Sequence, residues 1–318
     1  MSALYPFLLR PEFVERPWGA RDLSPIYPEH PCGEPVGEVW LTGDDNRVAN
    51  GPLAGRTLGE LCRQYGRALV GESARETDRF PLLIKFLFSR EKLSVQVHPD
   101  DETARRAGLP CGKTECWYVV TAEPGAQVAL GLKSGVTREQ LARAIRSVQA
   151  EELLNWVDIH AGEMIYVDAG TVHTIGPGAV LLETQQNSDT TYRLYDYGRP
   201  REIHVEQGLA ATKERTRAGK VRRIGSTTAL VASPSFVVEK LGLGEMRRFE
   251  AAHSPQIFVT LEGSGVAEGP SPASFSRGEV LVVPASAAQV GIRPHRNLQV
   301  LRMTLPVGAT PEPETTSG

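Results

Sequence analysis

The chain has 318 residues, 41% of them hydrophobic, and a formal net charge of −3. That length is ample for a sizeable core and predicts two domains, at roughly 100–200 residues each. The charge offers no basic field for nucleic acid or an anionic membrane, and no apolar run approaches the ~20 residues of a membrane-spanning helix.

The N-terminal MSALYPFLLRPEF lacks the charged, apolar and cleavage regions of a signal peptide. Cysteines at 32, 62, 111 and 116 form no CxxC and no disulfide framework, so a reducing cytoplasm is expected. Residues 1 to 56 are rich in Pro and Gly and read as irregular structure with short strands, GEVWLTG at 37 to 43 being the clearest. TLGELCRQYGRALVG, 57 to 71, has helical spacing and a capping threonine. FPLLIKFLF, 80 to 88, reads as a buried strand, and Lys85 within it needs a carboxylate or a bound anion as partner.

LSVQVHPDD follows at 93 to 101 and GKTECWYVV at 112 to 120. Side chains alternate along a strand, so Ser94, Gln96 and His98 share one face while Leu93, Val95 and Val97 share the apolar one. The same rule groups Lys113, Glu115 and Trp117. An amide oxygen, an imidazole and a carboxylate are three metal ligands, and a fourth completes a tetrahedral set. Of only seven lysines, Lys85 and Lys113 lie beside these strands.

DDETARRAG reads as a short helix with an acidic cap, and 136 to 147 and 150 to 157 as two more helices. GEMIYVDAGTVHTIG, 162 to 176, is a strand, a turn at Asp168 and Gly170, and then His173. It resembles the second metal motif of the cupins, G-x5-P-x-G-x2-H, with Asp168 at the usual proline; cupins are double-sheet jelly rolls. Strands are expected again at 163 to 168 and 179 to 186, and a polar connection with a helical start at 208 to 220. From Ala229 the pattern is all strand. Gly278 and Pro284 repeat the cupin spacing, but Gln289 falls where a histidine would be, which reads as a second, metal-free cupin-like domain. The expected units are a catalytic cupin domain over 1–222, a cupin-like β domain over 223–307, and a disordered Pro-rich tail over 308–318.

QVHPDD, GKTECWYV, AGTVHTIG and ETQQNSDTTYRLYDYGR, with ERPWG and NGPLAGRTLGEL upstream, resemble the type I mannose-6-phosphate isomerases in their short bacterial form. The resemblance implies a mainly β cupin jelly-roll enzyme holding one zinc ion on Gln96, His98, Glu115 and His173. It implies a small sugar phosphate as substrate, a cytoplasmic monomer or weak homo-oligomer, and no nucleic-acid or membrane partner. Arg193 matches an arginine closing over the reacting end of the sugar, and Lys113 a lysine beside the metal. Ser94 and Lys85 match positions that meet the phosphate, and Asp189 and Glu183 acidic residues near the site. Longer relatives carry a histidine before that lysine; Gly112 stands here, so the residue that opens the sugar ring is unassigned.

Aldose–ketose isomerisation moves a proton between C2 and C1 through an enediolate. It needs a Lewis acid, a base and a phosphate anchor. Arg193 cannot be the base, because its pKa exceeds ~12. Lys113 and Glu183 both remain open for that role, and a structural ion pair of Arg193 with Asp189 or Asp196 is the plainer alternative. Trp18 and Tyr195 could line the sugar pocket. Competing readings are a non-catalytic sugar-phosphate binding protein or sensor, and an iron-dependent dioxygenase, which usually uses more histidines.

Overall fold

The computed structural model describes residues 3–30, 33–222 and 228–316. Among them, every paired strand is antiparallel, in two double-sheet sandwiches. The first sandwich faces an eight-stranded sheet with a five-stranded one. Leu82–Ser89, Ala179–Gln186 and Glu115–Ala122 are neighbours in the larger sheet, and Tyr192–Tyr195, Val95–Val97 and His173–Ile175 in the smaller. The second sandwich stacks six strands on four, with Val280–Val283, Gln256–Glu262 and Leu298–Thr304 as neighbours in the larger sheet. No described helix is long and apolar enough to cross a membrane.

Leu82–Ser89 is buried along its whole length because it is covered on both faces. Leu82, Ile84, Phe86 and Phe88 turn outward into the main core. That core also takes in Val238, Ile257, Val259 and Met303 of the second sandwich, so the large sheets of the two units share one apolar interior. Lys85 and Leu87 turn the other way, Leu87 into a smaller cluster and Lys85 toward the site. Lys240 Nζ donates across the junction to Tyr118 Oη at 2.7 Å.

The helix expected at 57 to 71 is two pieces, Leu58–Tyr65 and Arg67–Val70, broken at Gly66, whose φ is +49°. Thr57 caps the first in a capping box with Glu60. The capped helices Asp101–Arg106 and Arg138–Arg146 form as expected.

Three expectations are corrected. The stretch 150 to 157 is not a helix: Ala150–Leu153 makes one 3-10 turn and Leu154–Asp158 is a strand paired with Gln127–Leu132. Leu154 and Val157 are buried there, and sheet pairing outweighs local propensity. The N-terminal region is more regular than its Pro and Gly content suggests. Glu12–Ala20 is a nine-residue strand, and Phe7–Leu9 joins the second sandwich against Val280–Val283. The tail is not disordered through its described part: Thr315–Thr316 pairs with Gly219–Val221, and Glu312 accepts a hydrogen bond from Tyr166. The expected boundary at 222/223 abuts residues 223–227, which lie outside the described residues.

Candidate metal centre and sugar cavity

Strand register brings the proposed ligands together. His173 stands opposite Gln96 across one ladder, while Glu115 pairs with Gln185 and Val167 in the facing sheet. Val95 and Val97 go into an apolar cluster, as the alternation requires, but Leu93, which precedes the strand Val95–Val97, does not join them: it packs in another cluster and lines the cavity. After Met164–Val167 the chain turns through Gly170, at φ +95°, and the Asp168 carboxylate accepts from Thr171 Oγ1 at 2.8 Å. That turn delivers His173 into the sandwich.

His98, Glu115 and His173 are each 1% exposed and form a group able to hold a metal ion. Glu115 Oε2 is 3.5 Å from His98 Nε2, and Glu115 Oε1 is 3.3 Å from His173 Nε2. Tetrahedral ligands at about 2.1 Å from an ion stand about 3.4 Å apart, so these gaps suit one ion. His98 Nδ1 lies 2.8 Å from the Thr190 carbonyl and His173 Nδ1 2.9 Å from that of Thr171. A carbonyl only accepts, so each Nδ1 carries the proton and each Nε2 offers a lone pair. Burial, reinforced by the Lys113 charge, holds the His98 imidazole well below its usual pKa; burial likewise takes His173 down to about 4. Both rings are therefore neutral, as ligands must be. Glu115 Oε2 is buried and makes no hydrogen bond; its one close cation is the Lys113 ammonium at 3.2 Å, an ion pair, so it keeps lone-pair capacity for a metal.

Gln96 is close by, with Nε2 at 3.2 Å from His173 Nε2 and Oε1 accepting from Ser94 Oγ at 3.0 Å. A half-turn of the amide presents the oxygen to the ligand group instead and leaves Ser94 as acceptor. The donor set, two neutral imidazoles, a carboxylate and an amide, suits a dication.

Lys113, 3% exposed, reaches the same group: its ammonium is 3.2 Å from His98 Nε2 and from Glu115 Oε2, and 3.5 Å from Glu183 Oε1. Lys85 has the carboxylate partners its burial demanded, Glu38 at 3.3 Å and Glu183 at 3.8 Å. Burial works against the Lys85 charge, but Glu183 and Glu38 hold its pKa above the usual lysine value. Glu38 is driven the other way: burial opposes its ionisation, and Lys85 and Arg16 overcome this and take it to about 2. Glu183 is pushed up to about 7 by burial and by the Glu115 charge.

A cavity of about 80 Å³ opens beside the group. Trp18, Lys85, Ser94, Lys113, Glu183, Asp189 and Arg193 all line it, with Gln96 and Glu115. Arg193 is not in the structural ion pair considered above. Asp196 is taken by Arg199 at 3.2 Å and Arg201 at 2.6 Å, and Arg193 has no ion pair within 4.0 Å among the described residues. Its buried Nε has no partner. Burial, together with the nearby Arg201 charge, lowers its pKa. Tyr195 is outside the lining and stacks edge-on with Tyr197 at 4.9 Å.

A family model described as phosphomannose isomerase type I, catalytic domain, matches residues 7–140. Mannose-6-phosphate isomerase ManA of Bacillus subtilis is 35% identical over 297 residues, covering 88% of this chain and 93% of its own. The chain belongs to the type I phosphomannose isomerase family. The mannose-6-phosphate isomerase of Streptococcus mutans is 34% identical over 295 residues, covering 88% and 92%. The crystal structure of the mannose 6-phosphate isomerase from Bacillus subtilis superimposes with a TM-score of 0.84 at 31% identity, covering 94% and 99%. The cupin architecture expected from the motifs is thus the family's own.

Three charged cavity residues escaped the sequence reading: Arg16, Glu38 and Arg201. Glu38 sits in the GEVW strand, and its pairing with Lys85 is set by the register Trp40↔Lys85. A lone carboxylate in a short strand carries no such signal. Arg16 and Arg201 lie among many arginines, and only the fold distinguishes them.

Proposed function

We propose that the chain interconverts mannose 6-phosphate and fructose 6-phosphate by moving a proton between C2 and C1 through an enediolate. One zinc ion per chain is held by Gln96, His98, Glu115 and His173 in this reading. When bound, zinc supplies Lewis-acid stabilisation of negative charge on the substrate oxygens.

Glu183 takes the carbon proton and returns it to the neighbouring carbon. A carboxyl near 7 is matched to proton transfer at neutral pH, and its place beside Lys113 lets the ammonium steady the charge as the proton moves. Arg193, permanently charged and without an ion-pair partner, holds the developing enediolate. Lys85 and Ser94 meet the phosphate, and Asp189 and Trp18 shape the sugar's place in the cavity. A phosphorylated sugar does not cross bilayers freely, which fits a cytoplasmic enzyme. The chemistry belongs to residues 1–222, with 223–307 as a metal-free support.

The observation that carries this reading is the convergence of two tautomer-fixed imidazoles and an unsatisfied carboxylate oxygen on one point, with Lys113 and Glu183 alongside. A passive binding module would not need Lys113 and Arg193 together beside the ligand group. Coupled turnover of mannose 6-phosphate by the purified protein, with and without a chelator, tests it. Turnover that needs the metal supports the isomerase. Sugar-phosphate binding with no turnover replaces it by the non-catalytic binder.

A further inference from the structure

A second cleft, of about 270 Å³, lies between the two sandwiches, against the loop that leads into Lys113 and Glu115. Its apolar walls come from both units: Phe80 and Leu109 from the first, Pro234, Leu305 and Pro306 from the second. Three guanidiniums join them, those of Arg75, Arg79 and Arg105. Arg75 pairs with Asp101. Arg79 has only a long pair to Asp44 at 3.7 Å, and exposed Arg105 has no ion pair within 4.0 Å among the described residues. Glu76 is the one other acid in the lining, so positive charge is in excess. The Cys111 thiol there is pushed up to about 11 by burial and adds no negative charge.

We propose that this cleft binds a small organic phosphate with a flat apolar body, the class of a nucleoside monophosphate, and that its occupancy is felt at the metal loops. The phosphate meets Arg79 and Arg105 in charge-assisted hydrogen bonds and competes with Asp101 for Arg75, and the ring lies against Phe80, Leu109 and the prolines. A bare sugar phosphate leaves those apolar walls unused.

The link to the metal group runs through Asp101. Its Oδ1 accepts from Gly112 N at 2.9 Å and from Gln186 Nε2 at 2.9 Å, and Gln186 Oε1 in turn accepts from Thr114 N at 2.9 Å. Gly112 packs so closely on the turn after His98 that an added Cβ would stand 2.6 Å from Asp101 N. The turns that carry His98 and Glu115 therefore meet at Asp101, whose outward partner is Arg75. A ligand that draws Arg75 away from Asp101 binds the two states of this junction differently, which is the condition for coupling.

The test is calorimetric titration of AMP and GMP into the metal-loaded full-length protein, without and with saturating fructose 6-phosphate. One nucleotide is expected per chain, at both sugar concentrations. Adenosine and inorganic phosphate should each bind at least about tenfold more weakly, since each lacks half of the contacts. Arg105→Glu and Pro306→Glu should each weaken AMP at least about tenfold, with an unchanged melting temperature and unchanged turnover when no nucleotide is present. Nucleotide should also shift the KM for mannose 6-phosphate several-fold. Absence of binding at millimolar AMP and GMP, or affinity unchanged in both variants, overturns the site. Full displacement by fructose 6-phosphate moves the nucleotide into the metal cavity and overturns it equally. Binding that leaves KM and kcat unaltered overturns the coupling. Binding is read without turnover, so its failure is separate from any failure of the isomerase reading.

Discussion

In the first sandwich, Gln96, Glu115, His173 and Glu183 turn polar groups into the interior between the sheets. In the second, the matching space is filled by Leu241, Phe258, Phe275, Leu281 and Leu298. The turns that precede the comparison point are alike. Gly162 and Gly278 both sit at positive φ, +89° and +83°, each just before the strand that leads to the turn. Beyond the turn the likeness ends: His173 is buried in the site, whereas Gln289 is exposed on a strand paired with Arg247–Glu250. The cupin spacing thus has two separable parts. The glycines set a backbone path, and the side chains aimed inward decide whether that path serves a site or a core.

Five outcomes probe this contrast, in falling order of effect. His98→Ala should strip the metal and bring turnover to background while leaving amide-exchange protection in 256–304 intact. Full metal occupancy by elemental analysis would mean the ligand group is elsewhere. Glu183→Gln should cost about 10²–10⁴ in kcat, the usual share of a general base. In the wild type, kcat/KM should rise with pH as Glu183 ionises. A bound dication draws that pKa lower, so the acidic limb should fall at or below about 7. A limb that survives in Glu183→Gln transfers the base role to Lys113.

Arg193→Lys keeps the charge but loses the planar fork. It should lower kcat about tenfold to a hundredfold with less change in KM, and lower the pH profile without reshaping it. A raised KM with kcat unchanged would make it a ground-state contact.

The fourth outcome concerns stability without metal. The folded-state pKa of Glu183 is raised, so its contribution is fully present below the unfolded value near 4.5 and is lost as pH rises through about 7. Metal-free protein should therefore lose on the order of 3 kcal/mol from this group between pH 4.5 and 8, and Glu183→Gln should remove that dependence. Chemical denaturation at the two pH values reads it; an identical pH dependence in both proteins refutes it. Smallest of all, Gln289→His should gain no metal and change stability by less than about 0.5 kcal/mol, because an exposed histidine over an apolar interior has no co-ligands. Metal uptake there would show the second sandwich to be one residue from a site.

The strands that carry the candidate ligands were the most legible part of the sequence. Alternation placed Gln96 and His98 opposite Val95 and Val97, and a lysine inside an apolar run demanded the carboxylates it has. Local pattern failed where a distant partner decides. Residues 154 to 157 look helical until Gln127–Leu132 pairs with them, and Glu38 gains meaning only from Lys85 across the ladder. The second cleft was invisible for the same reason, since Phe80 and Leu305 become neighbours only when the two units pack.

Phe7–Leu9 has a further consequence, at the ribosome. These residues are made long before their ladder partner Val280–Val283. At typical synthesis rates the strand waits on the order of tens of seconds with its backbone unpaired. A nascent chain stopped anywhere before Val280 leaves that edge open and strips the outward face of Leu82–Ser89 of part of its cover. Truncation products should therefore be sticky rather than half-functional, and the later strand acts as the latch that makes the earlier one safe.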